Sequence, residues 1–407
     1  MSEPVRKIKQ TPESYSPKAK IPIVINPESY KPKNKPRILS MVEQSSVFMT
    51  DIITGLTTSG EPPMLTGIRE LFEGSKGHNY ELPDCLKFIF ERVGAYEDII
   101  YWDIAALAGD TAAQVYNRSI TTSCSYSVSA YLAGREHIDY MFNALGYGYE
   151  YATAEQFNAN SAPYLRKIIE YINSGVPVLV KTNLNDIPNW HSDVGTYCLI
   201  VGVSCENEKI MLKLLVGGTV PINHELSGHD KIDLIFIGEK QREVTLEDIY
   251  LSAIKNMVHW LTLPERNGMC FGSAAYRAWA DDIDNGRFSD ENIPLWENYG
   301  VYVVNLATSG GGAPAYVCSK LAEANLKYSK LLSLKEKILT LTPTESPDGS
   351  GRCLLWIKLD DLGGGMDVNI VRETMRDKEK RSKIADALRD YANRLDKVVE
   401  LLKEETL

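Results

Sequence analysis

From about Leu65 the apolar positions recur with two different periods. In Pro83–Gly94, Cys85, Phe88, Ile89 and Val93 fall at i, i+3, i+4 and i+8, one face of a helix that Gly94 would stop. Asp98–Gly109 reads as further helix. Arg135–Tyr151 reads as another, with Ile138, Met141, Phe142 and Leu145 on one face and Gly146 as its end, and Ala162–Gly175 as a fourth. The pattern then changes. Val176–Leu184, Thr196–Ser204, Lys209–Gly217 and Ile232–Glu239 are short, rich in Val, Ile and Leu, and separated by turn residues, so they predict strands of an at least partly antiparallel sheet. Helical periodicity returns after Lys240. Thr245–Asp248 predicts a capping box with Asp in the Glu position, and helices are expected from there, over Cys270–Ile283, over about Ala315–Leu341, and along a last stripe of Ile384, Leu388, Tyr391, Leu395, Val398 and Leu402.

This order divides the chain. Residues 1–40 are polar and rich in Pro and Lys, with the echo PESYSPK and PESYKPK around the extended IPIVIN, and predict an arm that is extended or partly disordered. Residues 65–240, helices first and strands second, predict a segregated α+β core, and residues 241–407 an all-α domain beside it. With 407 residues and 44% apolar composition, the chain can build more than one core. A net charge of -10 without a dominant basic cluster argues against nucleic-acid binding. No leader and no membrane span is expected, and seven scattered cysteines without a C-x-x-C pair suit free thiols in a reducing cytoplasm.

The chemistry-bearing candidates begin with Cys85. Pro83 just before it suits a helix start, and backbone N–H groups at a helix N-terminus lower a thiol pKa; the adjacent Asp84 opposes thiolate formation. Asn79, six residues upstream, offers an amide donor for an oxyanion. The alternative is an inert core cysteine. The segment with His224 and His229, flanked by Glu225 and Asp230, reads as a loop and is a weak metal pattern. His137 and His259 are expected at a helix surface or boundary. The glycine runs at Gly310–Gly312 and Gly363–Gly365 lack a phosphate-loop frame, and Asp281, Asp282 and Asp284 read as a solvated turn. No cofactor and no metal are expected.

Asn79 followed by Cys85 at a helix head, then Gly175-Val176-Pro177-Val178, then the strand Thr196–Gly202 ending in Val-Gly, resembles the papain-like cysteine peptidase superfamily. Within it, the likeness is to the bacteriocin-processing-peptidase-like group and the butirosin-type acyltransferases. Asn267–Ile283 is similar to the helical C-terminal half of bacterial relatives. The resemblance implies a papain-like fold, Cys85 as nucleophile and Asn79 at the oxyanion. It implies a small-molecule or peptide acyl substrate, with a carrier-protein thioester as one donor, and leaves a homo-oligomer open. The family's histidine would fall on Thr196, which cannot serve as base. His191, five residues upstream, is the replacement at hand, and Asn223 and His224 are the nearest polar residues to the third position. The expected activity is therefore acyl transfer through a Cys85 thioester that forms an amide. The alternatives are hydrolysis by a peptidase or amidase, and a papain-like binding protein without catalysis.

Overall fold

The computed structural model of the chain describes residues 49–56, 62–71, 80–96, 99–109, 115–118, 135–188, 190, 195–266, 268–309, 329–342 and 354–406. The expected N-terminal arm lies outside these residues, as do Asn79 and His191. In chain order the helices are α1 (Glu81–Arg92), α2 (Tyr101–Ala108), α3 (Arg135–Ala144), α4 (Ala154–Ala159), α5 (Ser161–Asn173), α6 (Leu246–Leu261), α7 (Gly272–Asp284), α8 (Ser329–Leu341), α9 (Leu354–Asp361), α10 (Val368–Arg376) and α11 (Lys378–Thr406). The strands are β1 (Val115–Asn117), β2 (Tyr147–Ala152), β3 (Val178–Asn183), β4 (Gly195–Glu206), β5 (Lys209–Leu215), β6 (Ile222–Glu225), β7 (Asp233–Lys240) and β8 (Met269–Phe271). Among the described residues no helix is long and apolar enough to cross a membrane.

The chain forms two compact units, and it passes between them after Glu97, Leu145 and Glu243. The core expected over residues 65–240 is thus not contiguous. Asp98–Leu145, which carries α2, β1 and α3, belongs with Val244–Leu407. The reason is long-range pairing: α2 and α3 pack on α6, and β1 pairs with β8. Helical periodicity reports an apolar face but not its partner.

The sheet unit holds six antiparallel strands in the order β2-β7-β3-β4-β5-β6, with helices α1 and α5 packed on β3 and β4. The combination of antiparallel sheet and separate helices is α+β. The four strands expected from the sequence are β3, β4, β5 and β7; β2 and β6 are additional. The helix expected to stop at Gly146 ends at Ala144, Gly146 takes φ +73°, and the alternating YGYEYA that follows pairs with β7 as a strand. The segment Ile222–Glu225, expected as loop, is edge strand β6, which pairs with β5 through His224 opposite Leu212. A capping box over Thr153 and Gln156 opens α4: the Gln156 amide donates to Thr153 Oγ1 at 3.2 Å and the Thr153 amide donates to Gln156 Oε1 at 3.0 Å.

Strands β4 and β5 are joined by Asn207 and Glu208, both left-handed at φ 52° and 64°. Two consecutive positive φ values in a two-residue hairpin mark a type I′ turn, whose second position favours glycine. Glu208→Gly is expected to raise stability by about 0.5–1 kcal/mol, read as a higher urea midpoint at unchanged slope.

The helical unit is built around α11, which packs along α7 and touches α6, α8, α9 and α10. Trp279 and Tyr276 of α7 and Leu388, Leu395 and Val398 of α11 are buried in this core. The expected capping box opens α6, with the Asp248 amide donating to Thr245 Oγ1 at 3.1 Å. The acidic cluster at the end of α7 is not a solvated turn. Asp281 and Asp284 receive Arg389 of α11 at 2.9 and 3.4 Å, and Asp282 receives Tyr116 Oη at 2.7 Å and Arg287 at 2.9 Å. The Gly363–Gly365 run is a packing turn. A Cβ on Gly364 would lie 2.6 Å from Ile384 and 2.7 Å from Tyr299 Oη, whose hydroxyl donates to the Gly364 carbonyl.

Candidate functional site

Cys85 lies deeper in its helix than the sequence suggested. Helix α1 begins at Glu81, with extended Tyr80 as its cap, so Pro83 is the third helical residue and Cys85 the fifth. The free N–H groups of the first turn are already behind it. Cys85 shares the buried face with Leu82, Leu86, Phe88 and Ile89 and is 0% exposed. Burial pushes its thiol well above the ordinary range, and Cys198, Asp84 and Glu81 add to the rise; Arg69 acts in the opposite sense but last in size. Each contributor other than Arg69 disfavours thiolate. Asp84, also 0% exposed, is paired with Arg69 at 2.8 Å, and Arg69 donates further to Glu91 at 3.0 Å.

On the sheet, Thr196 is the second residue of β4. It is 2% exposed and lies directly across from Thr182 of β3. Cross-strand partners share a face, and residues two apart on a strand share it too. Thr196, Cys198, Thr182 and Val180 therefore form one patch, and burial pushes the Cys198 thiol up to about 12. After burial itself, Cys198 of β4 is the first of the groups that raise the Cys85 thiol. Asn79 and His191, the two side chains expected to complete the site, lie outside the described residues.

The third-position candidates stand elsewhere. Asn223 and His224 are on β6, separated from β4 by β5. Asn223 Oδ1 accepts from Lys213 Nζ at 2.7 Å. His224 Nε2 lies 2.9 Å from Asp230 Oδ1, and the amides of Ser227 and Gly228 donate to the same carboxylate. Among the described residues no group of three or more His, Cys, Asp or Glu is arranged to hold a metal ion. This is a loop clasp. Burial alone would raise the Asp230 carboxyl, but His224 and the two amides outweigh it and hold it below its usual range. A depressed carboxylate contributes stability above its unfolded pKa of about 3.9 and loses it as pH falls through the folded value. Asp230→Asn is expected to cost about 1–3 kcal/mol at neutral pH and to lessen the loss of stability on acidification below about pH 4, measured by urea unfolding across that range.

Sequence reasoning missed a cavity of about 420 Å³ at the end of β3, lined by Lys181, Thr182, Asn183, Asp186, Lys231 and Asp233 among others. It sits at the Thr196 end of the β3–β4 pair. Thr182 donates to the Lys231 carbonyl at 3.0 Å, Lys231 pairs with Asp186 at 3.5 Å, and Asp233 accepts from the Ala154 amide at 2.7 Å and from Tyr151. Lys181 stands across from Tyr197 of β4 and Asp233 of β7 in the strand register. Burial lowers its ammonium pKa, with Asp233 pulling the other way. The signal was present in the sequence as a lysine inside an apolar strand, VLVKTN, the one charge in β3. In the helical unit, His137, expected at a surface or boundary, is 4% exposed and packs edge-on to Trp260 at 5.4 Å. Compared with known proteins, the chain matches no protein-family model and no curated protein.

Proposed function

We infer that the chain is a binding protein on a papain-like plan in which acyl-transfer chemistry is not carried by Cys85. The observation that supports this is the state of Cys85: fully buried in the second turn of α1, with its thiol pushed well above the ordinary range. A nucleophilic cysteine acts as thiolate and must reach its substrate, so burial and a raised pKa oppose both requirements. Thr196, buried where the family's base would stand, points the same way. The polar cavity beside Thr182 is the place in the sheet unit where a ligand with both acidic and basic groups would be held, since its walls offer Lys181 and Lys231 together with Asp186 and Asp233.

The test is reactivity at Cys85. The folded chain is incubated at pH 7.5 with an activated aryl thioester and, separately, with iodoacetamide, and each cysteine is followed by peptide mass spectrometry. Cys85 is expected to modify at least about a hundredfold more slowly than in the urea-unfolded chain, because modification then waits on opening of the fold. Rapid acylation of Cys85 by the thioester, retained in the native chain and passed to an added amine, would overturn the reading and establish amide-forming acyl transfer. Passage to water alone would establish a peptidase or amidase.

A further inference from the structure

A second cavity, of about 320 Å³, lies within the helical unit between α3 and α6. It stands apart from the reading of Cys85. Its lining includes the aromatic and apolar side chains of Trp260, Leu263 and Tyr140. The Trp260 indole is 5% exposed and is fixed edge-on between His137 at 5.4 Å and His259 at 5.2 Å. Gly109 lies against it, so close that a Cβ there would fall 2.0 Å from the ring. The polar walls are also held. Asn256, 3% exposed, donates to the Leu107 carbonyl at 2.6 Å, and Tyr140 donates to the Ser252 carbonyl. Two cations, Lys255 and Arg266, face the cavity against one carboxylate, Glu136, and none of the three forms an ion pair with another described residue.

These features define a ligand. The volume is at the small end of the roughly 300–1,000 Å³ of small-molecule sites, which fits one compact molecule rather than a peptide. A fixed indole and a tyrosine favour a planar ring by stacking and edge contacts. Lys255 and Arg266, with no carboxylate of their own, favour an anionic group, and the guanidinium can hold a carboxylate through two parallel N–H donors. We propose that this cavity binds a small aromatic carboxylate, the ring on Trp260 and the carboxylate on Lys255 and Arg266. Glu136 then disfavours doubly charged anions, since a second negative group would meet it.

The experiment is calorimetric titration of the full chain with naphthalene-carboxylate, and with naphthalene-methanol as its neutral counterpart. The carboxylate is expected to bind saturably at one site per chain, with the alcohol at least about tenfold weaker. The Lys255→Met and Arg266→Met double variant changes two exposed side chains and is expected to keep its melting temperature while losing about tenfold or more in carboxylate affinity. Absence of saturable carboxylate binding, equal affinity for the alcohol, or an unchanged affinity in the double variant would each overturn the proposal. The second and third of these outcomes would mark non-specific apolar binding. None of the results depends on Cys85.

Discussion

Gly109→Ala is expected to destabilise the helical unit by about 3 kcal/mol, observed as a lower urea midpoint and a lower melting temperature. Two costs combine. Gly109 ends α2 at φ +82°, a left-handed conformation that costs an L-residue about 1–2 kcal/mol. The new Cβ would also lie 2.0 Å from Trp260 Cδ1 and 2.1 Å from Nε1, so the indole must move. It cannot move freely, because His137 and His259 press on it and it is almost fully buried. Displacing a packed ring of this kind costs about 1–3 kcal/mol. The two costs separate in a cycle. In a Trp260→Leu background the ring is gone, and Gly109→Ala is expected to cost only the backbone share of about 1–2 kcal/mol. The same substitution gives a second readout, since a shifted indole would weaken naphthalene-carboxylate binding in the α3–α6 cavity.

The relation between sequence and structure is clearest where local pattern and tertiary partner diverge. The stripe Ile384, Leu388, Tyr391, Leu395, Val398 and Leu402 is long enough to specify its helix alone, and α11 carries it as read. The strands β3, β4, β5 and β7 were legible because they are central and almost continuously apolar. The edge strands β2 and β6 were not. Their residues, YGYEYA and INHE, are half-exposed and polar or aromatic, and only pairing with β7 and β5 makes them strands. The division of the chain was hidden for a related reason: α2 and α3 display apolar faces that would suit either unit, and their contacts with α6 decide the matter.

At the candidate site the same pattern carried two meanings. Cys85, Phe88, Ile89 and Val93 defined the helix, and a cysteine on the apolar face of a helix is placed for burial. Its position after Pro83 suggested a helix head, but Glu81 and Leu82 already satisfy helical geometry, so the terminus lies one turn earlier. The cavities were illegible for a simpler reason. Lys181 and Asp233 come together through the β3–β7 register, and Glu136 and Lys255 through packing of α3 on α6, neither of which is written in any local motif.

Arg69→Met is expected to lower the stability of the sheet unit by about 3 kcal/mol, and to do so through Asp84 rather than through packing. Asp84 sits in α1 beside Cys85 with no exposed surface, and Arg69 supplies a hydrogen bond of 2.8 Å to its carboxylate while donating to its carbonyl at 3.2 Å. Removing one partner of a buried ion pair costs about 3–5 kcal/mol; Arg69 is itself 31% exposed, which puts the expected value at the low end. Asp84→Asn alone leaves Arg69 able to reach Glu91 and solvent, and is expected to cost less, about 1–2 kcal/mol. The double variant Arg69→Met with Asp84→Asn removes both charges of the pair, so its loss should fall well short of the sum of the two single losses, by about 1–3 kcal/mol of coupling in a urea-unfolding cycle. A fully additive cycle would mean that Arg69 supports α1 instead through Glu91 and through Phe88, whose ring its guanidinium overlies at 5.3 Å. The outcome bears on Cys85 directly. If Arg69 is engaged by Asp84, the cation that acts on the thiol among the described residues is neutralised next to it, and the Arg69→Met variant should leave the slow alkylation of Cys85 in the folded chain slow, apart from the increase that its lower stability brings.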